Sequence, residues 1–287
     1  MKAAPLRYAR ATSLDDIFAL WREGGEDARL IAGGQSLVAS LNLRLSHVPA
    51  LIDINHVEAL SGVTDGGNAV RIGALTRHRD LLDSPLLAAH APLLPQAARQ
   101  IAHPAIRTRG SVGGSLAYAD PAAELPACMV ALDATLVLLG AGGSERRVRS
   151  GDFFLGLFET ALRPFEMIVA VEVPKRPAGG CQRLIELSRR SGDYALAGVA
   201  ACAADTALSN ARIVFFGVGE RAVLAAGASR AASEGADEAA LHDALMEDID
   251  PVSDMNGTAE FKRHLAGVLL RRVLADLRSG EGQGTAR

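Results

Sequence analysis

The chain has 287 residues, 49% of them hydrophobic and 22% charged, a composition that excludes a disordered protein and a length that accommodates two or three small domains. A formal net charge of −3, with scattered lysines and arginines, excludes the electrostatic footprint of a nucleic-acid binder or of a protein drawn to anionic membranes. Cys128, Cys181 and Cys202 lie far apart and include no C-x-x-C, which excludes a disulfide framework and a zinc or iron–sulfur site on this chain and leaves buried, reduced thiols as the expectation.

The opening MKAAPLRYARATSLDD has no apolar targeting core, and no run approaches the roughly 18 to 20 apolar residues of a bilayer span, so a cytoplasmic protein without a membrane span is expected. Ser13 caps a helix over SLDDIFALWREGG, with Asp16 at the capping-box position, Leu14, Ile17, Phe18 and Trp21 on one face, and Gly24 and Gly25 as the stop. ARLIAGG reads as a short buried strand entering a glycine turn and ALIDI (50–54) as another strand, with SLVASLNLRLS between them as loop or short helix. These elements make a first unit, 1–56.

A second unit, 57–177, has a strand at AVRIGA (69–74), helical signals in TRHRDLLDS and LLPQAARQIAH, and then the glycine-rich stretch RGSVGGSLAYADPAAELPA (109–127). ELPACMVALD suits a helix, ATLVLLG and RRVRS a hairpin around AGGS, and EMIVAVEVP a strand. Pro174, Pro177, Gly179 and Gly180 mark the boundary to a third unit, 178–287. There QRLIELSRR, ALAGVAACAA and ARIVFFGVG read as strands, followed by helical stretches near 219–246. A last helix opens around Thr258, with Phe261, Leu265, Leu269, Val273 and Leu277, and Val268 beside them, as a core-facing stripe; the tail SGEGQGTAR (279–287) is expected to be disordered.

Glycines are needed where backbone must approach a ligand too closely for a Cβ, or where positive φ turns successive N–H groups into one concavity. AGGQS (Ala32, Gly33, Gly34, Gln35, Ser36) and SVGGS (Ser111, Val112, Gly113, Gly114, Ser115) each offer N–H donors and hydroxyls that suit two linked phosphates, although a single Gly-Gly is usually just a turn. No Gly-Lys dipeptide exists, which excludes a P-loop. FFGVGERA carries G-x-G-x-x-A at Gly217, Gly219 and Ala222, but too little chain follows to complete a doubly wound sheet. Neither G-x-S-x-G nor H-E-x-x-H occurs, and His103, the one histidine near a candidate loop, reads first as a helix-terminal residue bonding a carbonyl. Asp120 and Glu124 either cap the following helix or accept hydrogen bonds from a ligand's sugar hydroxyls or ring nitrogens.

AGGQSL, RTRGSVGGSLAYADPAAELPA, GDYALAGVA and RHLAGVLLRR, in that order and spanning Pro5 to about Leu277, closely resemble the FAD-binding medium subunit of the molybdenum hydroxylases, the family of carbon monoxide dehydrogenase and xanthine dehydrogenase. The resemblance implies an α+β protein: a two-part FAD-binding domain of the vanillyl-alcohol oxidase (PCMH) type, followed by a C-terminal domain of antiparallel sheet and helices. It assigns both glycine loops, with Arg29, Leu30 and Ile31 leading in, to the FAD diphosphate. It places Ile101, Glu124 and Leu162 among the flavin contacts, Asp120 in the same loop, and Tyr194 beside the isoalloxazine.

No catalytic acid or base and no metal ligand is implied on this chain. The molybdenum cofactor sits on a large partner subunit and two 2Fe-2S clusters on a small one, in a heterotrimer that is itself doubled. ELSRRSGDYALAGVA departs from the K-x-K-x-K-x-GDYA of the carbon monoxide-oxidising members and favours an N-heterocyclic or other organic substrate for the complex. Two other readings are a free-standing oxidase of the vanillyl-alcohol type and a flavin-free assembly module.

Overall fold

The computed structural model describes residues 2–280. The first sheet is parallel, in the order β1 (Arg7–Arg10), β3 (Ala50–Asp53), β2 (Arg29–Ile31), with α1 (Leu14–Gly24) and α2 (Leu37–Asn42) in the crossovers. Ser13 caps α1 by accepting the Asp16 N–H, while the Asp16 carboxylate accepts from the Thr12 N–H, one residue before the position of a capping box. Ile17 and Phe18 pack with Ile52, and Leu60, Leu75 and Met167 from later in the chain complete that core. β1 was not foreseen: RYAR shows no apolar face, and its pairing with β3 holds it in place.

A 3-10 turn (Glu58–Leu60) leads to β4 (Val63–Asp65), β5 (Ala69–Gly73) and five short helices, α3 (His78–Leu82), α4 (Pro85–His90), α5 (Leu93–Gln100), α6 (Pro104–Arg107) and α7 (Val112–Tyr118). Then come α8 (Glu124–Ala131), β6 (Thr135–Gly140), β7 (Glu145–Arg149), α9 (Ser150–Phe153), a small hairpin of β8 (Phe154–Gly156) and β9 (Glu159–Thr160), and β10 (Glu166–Pro174). The antiparallel sheet runs β4-β5-β10-β6-β7. Every residue of α8 from Leu125 to Ala131 is buried, as a helix apolar all round must be. Its C-terminal end is held by Arg212 of the next domain, which donates to the carbonyls of Val130 and Ala131.

The last sheet, β11 (Cys181–Ser188), β12 (Ala195–Ala203), β13 (Arg212–Phe216) and β14 (Val223–Leu224), is antiparallel in chain order and is followed by α10 (Ala226–Ser233), α11 (Glu238–Asp248) and α12 (Ala259–Ser279). The G-x-G-x-x-A stretch is the turn between β13 and β14, with Gly217 at φ 75°, and no helix follows it directly. Thr258 caps α12, and Leu265, Leu269, Val273 and Leu277 are buried against the sheet. Phe261 and Val268 depart from the expected stripe: Phe261 is 42% exposed and Val268 only half-buried, while Lys262, next to Phe261, is buried and paired with Asp254 at 2.7 Å. The expected disordered tail begins too early: Ser279 ends α12 and Gly280 is its left-handed cap, and 281–287 lie outside the described residues.

Candidate cofactor site

One cavity of about 1240 Å³ runs between the β2–α2 loop, α7, the start of α8, the segment before β10 and the β11–β12 loop. Arg29, Leu30, Ile31, Ala32, Gly33, Gly34, Gln35 and Ser36 line it, with Ile101, Ser111, Gly113, Gly114, Ser115, Asp120, Glu124, Leu162 and Tyr194. Of the expected residues only Val112 does not: it is fully buried, on the inner face of α7's first turn. His103 is also outside; it precedes α6 at the amino end, and a Cβ on Gly192 would stand 2.6 Å from its ring.

The two glycine motifs do different work. In the first, Gly34 takes φ 71°, and the N–H groups of Gly33, Gly34, Gln35 and Ser36 make none of the turn, loop or cap hydrogen bonds among the described residues. Ser36 makes no side-chain cap bond either. Four consecutive donors at the entry to α2 are a ready cradle for a charged, oxygen-rich group.

The second motif is not a nest but the first turn of α7. Ser111 accepts the Gly114 N–H, Ser115 N–H donates back to Ser111, Val112 N–H donates to Thr76 and Gly113 N–H to Ala74. Its glycines serve close packing: a Cβ on Gly113 would stand 2.6 Å from the Ala74 Cβ. The two motifs meet backbone to backbone, because a Cβ on Gly33 would lie 2.2 Å from the Arg109 carbonyl oxygen.

A brace absent from the sequence reading ties them together. The Arg77 guanidinium donates to the Arg109 carbonyl (2.7 Å) and to Asn55 Oδ1 (2.6 Å), and Asn55 Nδ2 donates to the Ala32 carbonyl (2.8 Å). His78 Nε2 bonds the Ser111 carbonyl at 3.0 Å, and burial pushes this imidazole down to about 4, so it is neutral at physiological pH. Nothing in TRHRD or DINH marks these residues, since their partners, backbone carbonyls and for Arg77 and Asn55 each other's side chains, are distant in sequence.

Elsewhere on the cavity wall, Tyr194 is 62% exposed and interacts electrostatically with Asp120, whose carboxyl accepts the Ala122 N–H. Tyr118 and Phe158 form a tilted ring pair with centroids 5.0 Å apart, both lining the cavity and neither foreseen. Gly217 N–H donates to the Pro121 carbonyl, so the C-terminal sheet holds the loop that carries Asp120. Burial pushes the Glu124 carboxyl up to about 8, the neighbouring Glu186 charge adding to it. A glycine cradle and exposed aromatic rings on the wall of one cavity fit a dinucleotide whose phosphates need donors and whose ring needs a flat, accessible berth.

A family model described as FAD binding domain in molybdopterin dehydrogenase matches residues 4–176, and one described as CO dehydrogenase flavoprotein C-terminal domain matches 184–277. The chain is 38% identical to the 6-hydroxypseudooxynicotine dehydrogenase complex subunit alpha of Paenarthrobacter nicotinovorans, over 96% of this chain and 95% of that protein. It is 36% identical to the carbon monoxide dehydrogenase medium chain of Hydrogenophaga pseudoflava, over 93% of this chain and 95% of that one. Among solved structures, quinoline 2-oxidoreductase from Pseudomonas putida 86 matches with a TM-score of 0.91 at 34% identity, covering 98% of this chain and 99% of that chain.

Proposed function

The chain belongs to the FAD-binding medium subunits of the molybdenum hydroxylases, and from that premise we propose that it carries electrons from the 2Fe-2S clusters of a partner subunit to an external acceptor. The observation that carries the proposal is the pairing, in one cavity, of unengaged N–H donors at Gly33 to Ser36 with exposed aromatic rings at Tyr118, Phe158 and Tyr194.

FAD bound there supplies the ability to take electrons singly and to hand them on singly or in pairs. The chain's own residues do the positioning. Gly33 to Ser36 hold the diphosphate, Arg77 and Asn55 keep the two glycine motifs in register, and α7 walls the cavity through Ser111, Gly113, Gly114 and Ser115. Arg29, Leu30 and Ile31 bring the backbone to the cradle, while Ile101 and Leu162 supply apolar contact. Tyr194, with the Asp120 carboxyl as its electrostatic neighbour, would take the place beside the flavin ring.

Partner subunits follow from two features. The three cysteines are free and dispersed, so the thiolate sets that clusters need lie on another chain. Leu155, Leu157 and Phe158 on the β8–β9 hairpin are 50%, 55% and 49% exposed, an apolar face suited to protein contact. The assembly proposed is a large molybdenum-cofactor subunit, a small iron–sulfur subunit and this chain, doubled, in the cytoplasm; among the described residues no helix is long and apolar enough to cross a membrane. Substrate binding belongs to the large subunit of the proposed assembly.

Native isolation of the tagged full chain from its own host tests this reading. Two further chains, molybdenum and 2Fe-2S spectra are expected; a chain that isolates alone with flavin and without molybdenum would overturn it in favour of a free-standing oxidase.

A further inference from the structure

Where α8 meets the C-terminal sheet, two carboxyls share one seam: Glu186 of β11 pairs with Gly198 of β12, which pairs with Phe216 of β13, and the next residue, Gly217, bonds the Pro121 carbonyl three residues before Glu124. β11 alternates its side chains: Arg183 turns to Asp276 of α12, at 2.7 Å, while Gln182 and Leu184 turn to the FAD-binding half. Gln182 accepts the Leu93 N–H there, at 3.0 Å, and Leu184 joins the core that contains α8. Glu186, two residues on, belongs to the same face and acts electrostatically on Glu124 and Cys128 of α8. Its Oε2 is buried and has no hydrogen-bond partner. Glu124 begins α8 and lines the cavity.

A buried carboxylate oxygen without a donor is costly as part of an anion and far less so as part of a neutral acid. The groups that face Glu124 are all acidic or weakly so: Glu186 from β11, Asp120 from the loop before α8, Cys128 one turn along α8, and Tyr194 beyond Asp120. No basic group is among the influences on either carboxyl. The amino end of α8 favours a charged Glu124, and burial with the Glu186 charge overrides it.

We infer that Glu186 is a positioning residue for the cavity: from the C-terminal sheet it adds to the burial that keeps the Glu124 carboxyl protonated, so that Glu124 meets a bound cofactor as a hydrogen-bond donor and not as a negative charge. The inference rests on the function proposed above for what occupies the cavity, and on this chain alone for the proton. Burial pushes Glu186 up to about 7 and Glu124, with Glu186 beside it, to about 8, so the pair retains a proton at neutral pH and titrates as a unit. A neutral donor favours the arrival of negative charge in the cavity, which a carboxylate would oppose.

Infrared titration of the full chain without added cofactor reads this proton as the carbonyl stretch of a protonated carboxyl. The wild type should keep such a band at neutral pH and lose it on the alkaline side. E124Q should leave only the band of Glu186, which fades near neutral pH, and E186Q, freed of the like charge, should shift the loss of the Glu124 band to lower pH by about one unit. E186L is the second variant should E186Q fail to fold, and it should shift the band in the same direction. With FAD bound, E186Q should lower the midpoint potential on the alkaline side of neutral, where Glu124 has lost its proton in the variant and keeps it in the wild type. A wild type without the band at neutral pH, or an E186Q titration that does not move, would overturn the inference. A band that behaves as stated in a chain that takes up no FAD, alone or with its partners, would support the proton pair and overturn the proposed function, so the two failures are distinguishable.

Discussion

Gly33 lies so close to Arg109 that an added Cβ would stand 2.2 Å from its carbonyl oxygen, and that oxygen is already held by Arg77. A side chain at 33 therefore pushes the two glycine motifs apart at the point where the brace joins them. G33A should lose FAD uptake and cost about 1–3 kcal/mol of stability, the range for overpacking a close contact; FAD titration and urea unfolding of the purified variant measure both. R77M removes two hydrogen bonds from a charged donor and should weaken FAD binding about tenfold to a hundredfold with little change in secondary structure, read by equilibrium titration and circular dichroism. In the sequence the two Gly-Gly pairs look alike. Gly34 does need positive φ, whereas Gly113 and Gly114 are small because Ala74 and Ser111 lie against them, a difference that depends on residues folded in from elsewhere.

At the scale of elements, legibility followed periodicity and length. β10 and β12, nine residues each and buried on both faces, were readable as long apolar runs, and α12 by the four-residue repeat of its one buried face. β1 and β14, of four and two residues, carry no such signal and exist by pairing with a neighbour. The stripe on α12 was read one position too far: Phe261 lies beyond the edge of the sheet and Lys262 takes the buried place with Asp254. L269A, at a site only 3% exposed, should therefore cost about 2–5 kcal/mol. F261A should stay within about 0.5 kcal/mol of wild type, as surface substitutions do. Urea unfolding of the two variants checks the contrast, and equal losses would return Phe261 to the core.

At the largest scale, the main apolar cores of the described residues interlock instead of standing apart. Met167 of β10 enters the core of the first sheet, and Leu184, Val214 and Phe216 of the last sheet enter the core built around α8. The cavity needs all three parts, with its cradle from the first, its walls from the second and Tyr194 from the third. Local motifs could announce a diphosphate ligand, but the meeting of Glu186 with Glu124 and the Arg77–Asn55 brace are tertiary events with no local signature. The most direct measurement is flavin stoichiometry: absorption spectra of the full chain, alone and isolated with its partner subunits, before and after adding FAD and again after denaturation. One FAD per chain, released intact on denaturation and absent from G33A, is the predicted result. A folded chain that carries and takes up no flavin in either setting would contradict the account.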